Sequence, residues 1–266
     1  MAEESAQLET QALEIGRVLG DTFELIGGQT ATVLGIALIT TLPTRFALLA
    51  ITDYYGISPS NIGSHWGIFA IIMTLTGLMA AVMAMFGQGA LIGTAVAKQR
   101  NMPLDFVDAI AAALKRLPVV IPVALLYSLG ILFGIVFLIV PGLIAATMWS
   151  VTGPVAVAER TGIIETFRRS QKLTDNMLWR IFLLMLVTSV AIGIFSWIAG
   201  RLGLLFFDTN ADDLTAAVQP SAFLFKTLVD TLGAGFNLAL SCSLYLALIE
   251  REGGGPMTDR LSRIFE

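Results

Sequence analysis

Arg45, Lys226 and Asp230 lie inside otherwise apolar runs of the chain. A charged side chain at the centre of a bilayer costs about 2.5–3.5 kcal/mol on insertion scales, and less toward the interface. Lys226 and Asp230 stand one helical turn apart, the spacing at which opposite charges meet on a helix surface. The plain reading is that these residues sit near one membrane surface, with Lys226 paired to Asp230. The sharper reading is that Arg45 or Lys226 neutralises Asp230 inside a helix bundle, as part of an intramembrane polar cavity. A proton or ion relay ranks last, because it usually needs more than one intramembrane carboxylate.

A second group is Glu159, Arg160, Arg168, Arg169 and Lys172, followed by Arg180. Basic residues beside a membrane segment attract anionic lipid by about 1 kcal/mol each. Arg168 or Arg169 is a candidate ligand for a phosphate headgroup or a partner protein. Alternatively, Glu159 pairs with one of these arginines and fixes the segment carrying them.

Other chemistries find no support. Cys242 is the only cysteine and His65 the only histidine, so an intramolecular disulfide and a His/Cys metal cluster are both excluded. No nucleophile elbow, phosphate-binding loop or zinc-protease helix is present. Gly87-Gln-Gly89-Ala-Leu-Ile-Gly93 imitates a glycine-rich phosphate loop, but it lies inside an apolar run with no strand before it. Close helix contacts through Gly89 and Gly93, and through Gly130 and Gly134, are the expected use of these glycines. A net charge of −4 gives no pull toward nucleic acid. The expectation is a protein that is not an enzyme, with no metal and no cofactor.

The elements that must position these residues follow from composition. The chain is 56% hydrophobic and 14% charged, with a mean hydropathy of +0.80. Soluble domains carry about 25% charge. A spanning helix needs about 20 apolar residues, and six segments meet or approach that: 30–52, 66–97, 118–140, 143–158, 178–203 and 222–249. Pro141-Gly142 separates the third from the fourth and is expected to form their hairpin turn. Gly153-Pro154 is expected to kink the fourth. Residues 1–14 carry Glu3, Glu4, Glu9 and Glu14 and no basic residue, the reverse of a secretory signal, so the first span is expected to stay as an anchor.

Of the 16 Lys and Arg residues, all but Arg45, Arg201 and Lys226 fall on one side of this arrangement. The positive-inside rule then places both termini in the cytoplasm. The loop from Phe206 to Pro220, with Asp208, Asp212 and Asp213, falls outside.

Three segments on the basic side are amphipathic. In Ile15–Ile26, Glu14, Arg17, Asp21 and Glu24 oppose Ile15, Leu19, Phe23 and Ile26. In Leu104–Leu117, Asp105, Asp108, Lys115 and Arg116 oppose Phe106, Val107, Ile110, Leu114 and Leu117. In Gly162–Thr174, Glu165, Arg168, Arg169 and Lys172 oppose Ile163, Ile164 and Phe167. Such helices lie in the headgroup plane. Each carries an acidic, small, apolar triplet: Asp21-Thr22-Phe23, Asp108-Ala109-Ile110 and Glu165-Thr166-Phe167. The pattern reads as an interfacial helix plus a two-helix hairpin, three times. The single membrane domain then comprises a cytoplasmic segment over 1–28, a six-helix bundle over 29–250 with interfacial helices near 103–117 and 162–174, and a cytoplasmic tail over 251–266. Thr258–Glu266 suits a short helix with Leu261, Ile264 and Phe265 on one side.

Pro141-Gly142, Pro154-Val155, Glu159, the run Arg169-Ser170-x-x-Leu173-Thr174 and Trp179-Arg180 resemble a family of six-span bacterial membrane proteins. That family includes the membrane domain found beside glycerophosphoryl diester phosphodiesterases and the YciC-like inner-membrane proteins. Asp175-Asn176 departs from the family's usual glycine or lysine after Leu-Thr. No phosphodiesterase domain lies within these 266 residues, so that chemistry is not implied.

Together these features predict an all-α polytopic protein of the bacterial inner membrane, with six transmembrane helices and three cytoplasmic interfacial helices. The leading functional expectation is non-enzymatic binding of membrane lipid, including anionic phospholipid, or of a membrane protein partner, in envelope or lipid homeostasis. A transporter or permease for a small or lipidic substrate is second. An enzyme acting on phospholipid headgroups is third, since no acid–base pair with suitable spacing is found.

Overall fold

The structure, a computed structural model, describes residues 15–56, 63–99, 106–207 and 220–253. The acidic N-terminal residues, Asp105, Asp208, Asp212, Asp213 and the tail 258–266 lie outside them.

Among the described residues the chain is all helix, with no strand. The helices are α1 (Ile15–Gly28), α2 (Thr30–Tyr54), α3 (Trp66–Gln99), α4 (Phe106–Leu114), α5 (Leu117–Phe137), α6 (Ile139–Met148), α7 (Thr152–Ala158), α8 (Ile163–Thr174), α9 (Leu178–Phe207) and α10 (Pro220–Gly253). Six stretches are long and apolar enough to cross a membrane: α2, α3, α5, α6 with α7, α9 and α10. The protein is a multi-pass membrane protein, and its lateral surface is accordingly apolar. Phe133, Ile135, Val190 and Ile194 are all exposed there.

Helix α10 is the hub. Within its apolar window 67% of residues are buried, against 17% for α2, α3, α5 and α9. It packs on α1, α2, α3 and α9. Its buried residues Leu238, Cys242, Tyr245 and Leu248 join Ile36, Leu91, Ile92, Ile181 and Leu184 in one core.

Two breakers act differently from the sequence expectation. The hairpin between α5 and α6 turns at Leu138, whose backbone is extended (φ −157°, ψ 118°), not at Pro141-Gly142. Pro141 sits in the first turn of α6, where an amide hydrogen has no helical acceptor to lose. Gly142 serves a close approach: a Cβ on it would meet Ile135 and the Gly134 backbone at 2.7–2.9 Å. Likewise, the fourth span breaks at Trp149–Val151, and Gly153-Pro154 lies inside the first turn of α7. Every residue of α7 is buried.

That break leaves carbonyls without helical partners, and backbone polar groups inside a membrane must be satisfied internally. Ser170 and Thr174 of α8 donate to the Met148 carbonyl at 2.8 and 3.2 Å. The Ser241 hydroxyl of α10 lies 3.5 Å from the Ser150 carbonyl. Trp149 and Phe167 stack edge to face at 5.0 Å, and the Thr161 and Thr166 hydroxyls share a 2.8 Å hydrogen bond. With Glu159 against Arg169, these contacts make α7 and α8 an antiparallel pair.

The three amphipathic segments are helices α1, α4 and α8, each preceding a long helix. Their small triplet residues face the bundle: Thr22 and Thr166 are 0% exposed and Ala109 is 2% exposed. Large apolar residues flank these seams, with Phe23, Val107 and Ile164 exposed. Asn176, where Asp175-Asn176 departs from the resembled pattern, adopts φ +63° between α8 and α9. Asparagine tolerates this left-handed conformation, which glycine adopts freely.

Candidate functional site

Helices α2 and α10 run antiparallel. Gly235 lies against Val33 and Ala37, and the Thr41 and Thr231 hydroxyls share a 3.2 Å hydrogen bond. One turn further toward the Tyr54 end, Arg45 Nη1 donates to Asp230 Oδ2 at 2.8 Å. Lys226 closes on Asp230 Oδ1 from one turn away on α10. Asp230 therefore has a cation on each oxygen, and the structure brings all three sequence-predicted residues together. The side chains of Arg45 and Asp230 are 21% and 25% exposed, while Lys226 is 47% exposed and reaches outward. Phe223 lies 5.8 Å from the Arg45 guanidinium and stacks on Phe46 at 5.2 Å.

Beside this trio is a cleft of about 290 Å³ between α2, α3 and α10. Its walls include Thr40, Thr44, Ala80, Ala84, Ala234, Asn237 and Leu238. Three nearby buried polar atoms have no hydrogen-bond partner among the described residues: Arg45 Nε, Thr76 Oγ1 and Thr227 Oγ1. Thr76 shares a helix face with Ala80 and Ala84 through four-residue spacing. Thr227, one turn before Thr231, stands at the level of Arg45.

The second group separates. Arg169 Nε donates to Glu159 at 2.7 and 3.0 Å, and its two terminal nitrogens reach Glu252 at 2.7 and 2.6 Å. Lys172 also reaches Glu252, at 3.1 Å, and Tyr245 donates to Glu159 at 3.2 Å. The Arg169 donors are thus committed to two carboxylates, and the guanidinium joins α7, α8 and α10. Hydrogen bonding to Glu252, opposed by burial and reinforced by Glu159, raises the Arg169 pKa above its ordinary value. Arg160 and Arg168 are exposed and stand outside this network. Arg160 adopts φ +51° at the turn leaving α7. Burial, then the nearby charge of Arg160, lowers the pKa of Arg116.

The sequence reading passed over Glu252 and Tyr245, which complete the Arg169 network, and over Thr41, Thr231 and Asn237 beside Asp230. Glu252 gave one signal, as a carboxylate at the basic end of the sixth apolar run. A second cleft, about 560 Å³, lies between α1, α3 and α10, beside Arg17, Asp21, Glu24 and Glu250. Arg17 bridges it to Glu250 at 2.8 Å. Burial raises the Asp21 pKa, opposed by Arg17 and supported by Glu24 and Glu250. Among the described residues, no group of three or more His, Cys, Asp or Glu is placed to hold a metal ion.

A family model described as a domain of unknown function, DUF7847, matches residues 68–248. Its description names neither the phosphodiesterase-associated membrane domain nor the YciC-like proteins. No solved structure matches the chain.

Proposed function

The chain belongs to the DUF7847 family, and from that premise we propose that it is a non-enzymatic membrane protein that holds a lipid in the cleft between α2, α3 and α10. One observation carries this reading: the cleft is amphipathic. Its walls are small and mostly apolar, and one end carries the Arg45, Asp230 and Lys226 charges. Its volume approaches the lower end of the range for ligand sites, about 300 Å³. A lipid matches that polarity, with its chains along Ala80, Ala84 and Ala234 and its headgroup at the charges.

The setting we propose is a bacterial inner membrane with both termini cytoplasmic, supported by the Lys/Arg asymmetry. The Arg45 cleft then opens in the outer half of the membrane. The three amphipathic helices α1, α4 and α8 support a role in envelope or lipid homeostasis. A reporter that is active only outside the cytoplasm, fused after Glu266, is expected to be silent. Activity there would overturn the orientation.

The direct test is lipid retention. Protein extracted in mild detergent is expected to retain lipid visible by native mass spectrometry, and Ala84→Phe is expected to lose it while keeping its fold. Lipid-free wild-type protein, or unchanged retention in the folded variant, would refute the reading.

A second reading, transport of a small or lipidic substrate, draws on the break between α6 and α7. Discontinuous helices in a membrane protein often line substrate sites. Reconstituted vesicles should then accelerate passage of a fluorescent phospholipid between leaflets, and rates equal to protein-free vesicles would remove it.

A further inference from the structure

We infer that the Arg45 cleft selects a phosphate-bearing amphiphile, with Lys226, Arg45 Nε and Thr227 Oγ1 as the donors that take its oxyanion. This rests on the lipid-binding reading and deepens it.

The first argument is charge. Two cations meet one carboxylate, so the trio carries a net positive charge inside the membrane-spanning region. Both oxygens of Asp230 already accept an ion-pair hydrogen bond. Asp230 therefore orients the cations and leaves an excess charge to be balanced. Arg45 lies seven residues before Thr52, about 10 Å along the helix. At that depth an uncompensated cation is unfavourable, and an anionic partner relieves it.

The second argument is donors. Arg45 Nε is buried without a partner, although its Nη1 is engaged. Thr227, only 4% exposed, has an unpartnered hydroxyl. Antiparallel register places it across from Arg45, one turn from the Thr41–Thr231 contact. Buried polar groups are normally hydrogen-bonded, so two orphans on facing helices call for an acceptor that the described residues do not supply. Lys226 is half-exposed and has ammonium donors beyond the one given to Asp230. A phosphate has enough oxygens to accept from the Arg45 Nε, an ammonium and a hydroxyl together. The chains attached to it then run into the cleft beside Ala80 and Ala84.

The test compares purified full-length protein, delipidated in detergent, against four probes: phosphatidylglycerol, diacylglycerol, glycerol phosphate and inorganic phosphate. Thermal midpoints monitor the fold throughout. Phosphatidylglycerol is expected to bind at least about tenfold more tightly than diacylglycerol, the gain of one charge-assisted hydrogen bond. Thr227→Val and Lys226→Gln should each erase much of that preference. Thr227→Val should do so without lowering the midpoint, since it removes a buried hydroxyl that has no partner. Diacylglycerol binding as tightly as phosphatidylglycerol would overturn this inference and leave the lipid reading standing. No binding of either lipid would overturn both. Glycerol phosphate or inorganic phosphate binding as tightly as phosphatidylglycerol would uphold the oxyanion site and overturn the lipid reading.

Discussion

Arg169 and Glu159 meet ten residues apart, with Nε 2.7 Å from Oε2, while the other end of the same guanidinium grips Glu252. The side chains of Arg169 and Glu159 are 18% and 13% exposed, so solvent screens them little. Removing one partner of such a pair strands the other. Arg169→Met is therefore expected to lose about 3 kcal/mol of stability, seen as a lower unfolding midpoint in detergent. Adding Glu159→Gln and Glu252→Gln should recover part of the loss. An Arg169→Met midpoint equal to wild type would show that the network does not hold α7, α8 and α10 together.

The α3–α7 contact depends on Gly89. A Cβ there would meet Val157 at 2.2 Å, and the valine is branched and buried, with little room to move. Gly89→Ala is expected to destabilise by about 2 kcal/mol. Gly93, one turn on, has open space around it. Gly93→Ala is expected to be neutral or to stabilise by about 0.5–1 kcal/mol through helix propensity. Equal effects from the two substitutions would contradict the packing described.

At the break in the fourth span, Ser170 and Thr174 both donate to the Met148 carbonyl. Either single removal leaves one donor, so Ser170→Ala or Thr174→Val alone should cost about 1 kcal/mol or less. Together they strip the carbonyl of both side-chain donors, and the double variant should lose more than the sum of the singles. Strict additivity, measured by chemical unfolding, would mean that the two hydroxyls do not substitute for each other.

Asp21 gives a pH signature. Burial raises its folded-state pKa, so the folded protein holds this proton more tightly than the unfolded chain. Stability then falls as pH rises from the unfolded value of 3.8 through the raised folded value. Asp21→Asn removes that penalty. The variant should have the higher midpoint at neutral pH, and its advantage should fade toward pH 4 as wild-type Asp21 protonates. The effect is expected to be small, because Asp21 is largely exposed and Arg17 opposes it. An advantage that grows on acidification would reverse the assignment.

Much of the architecture was legible from the chain because its cause is local. A run such as Leu178–Gly203 declares a membrane-spanning helix through composition alone. The 3.6-residue periodicity likewise gave α1, α4 and α8 close to their observed limits. The breakers were seen but misplaced. Pro141 and Pro154 each sit in a helix's first turn, where proline is compatible with the helix, and the chain turns or breaks just before them. The role of Gly142 became visible only when α5 and α6 were placed side by side.

By itself, then, the sequence determined a multi-pass helical membrane protein, three amphipathic helices that precede long ones, and the shortlist of charges worth weighing. Arg45, Lys226 and Asp230 were on that shortlist because charge inside an apolar run is costly wherever the run folds. Tertiary structure decided which of the weighed pairings form and which partners complete them. It gave both oxygens of Asp230 to cations on two helices. It also joined Arg169 to Glu159 and to Glu252, 83 residues away. The reason is physical. Burial of a helix against lipid follows from its own side chains, whereas the partner of a charge depends on the rotation and register of helices packed around α10.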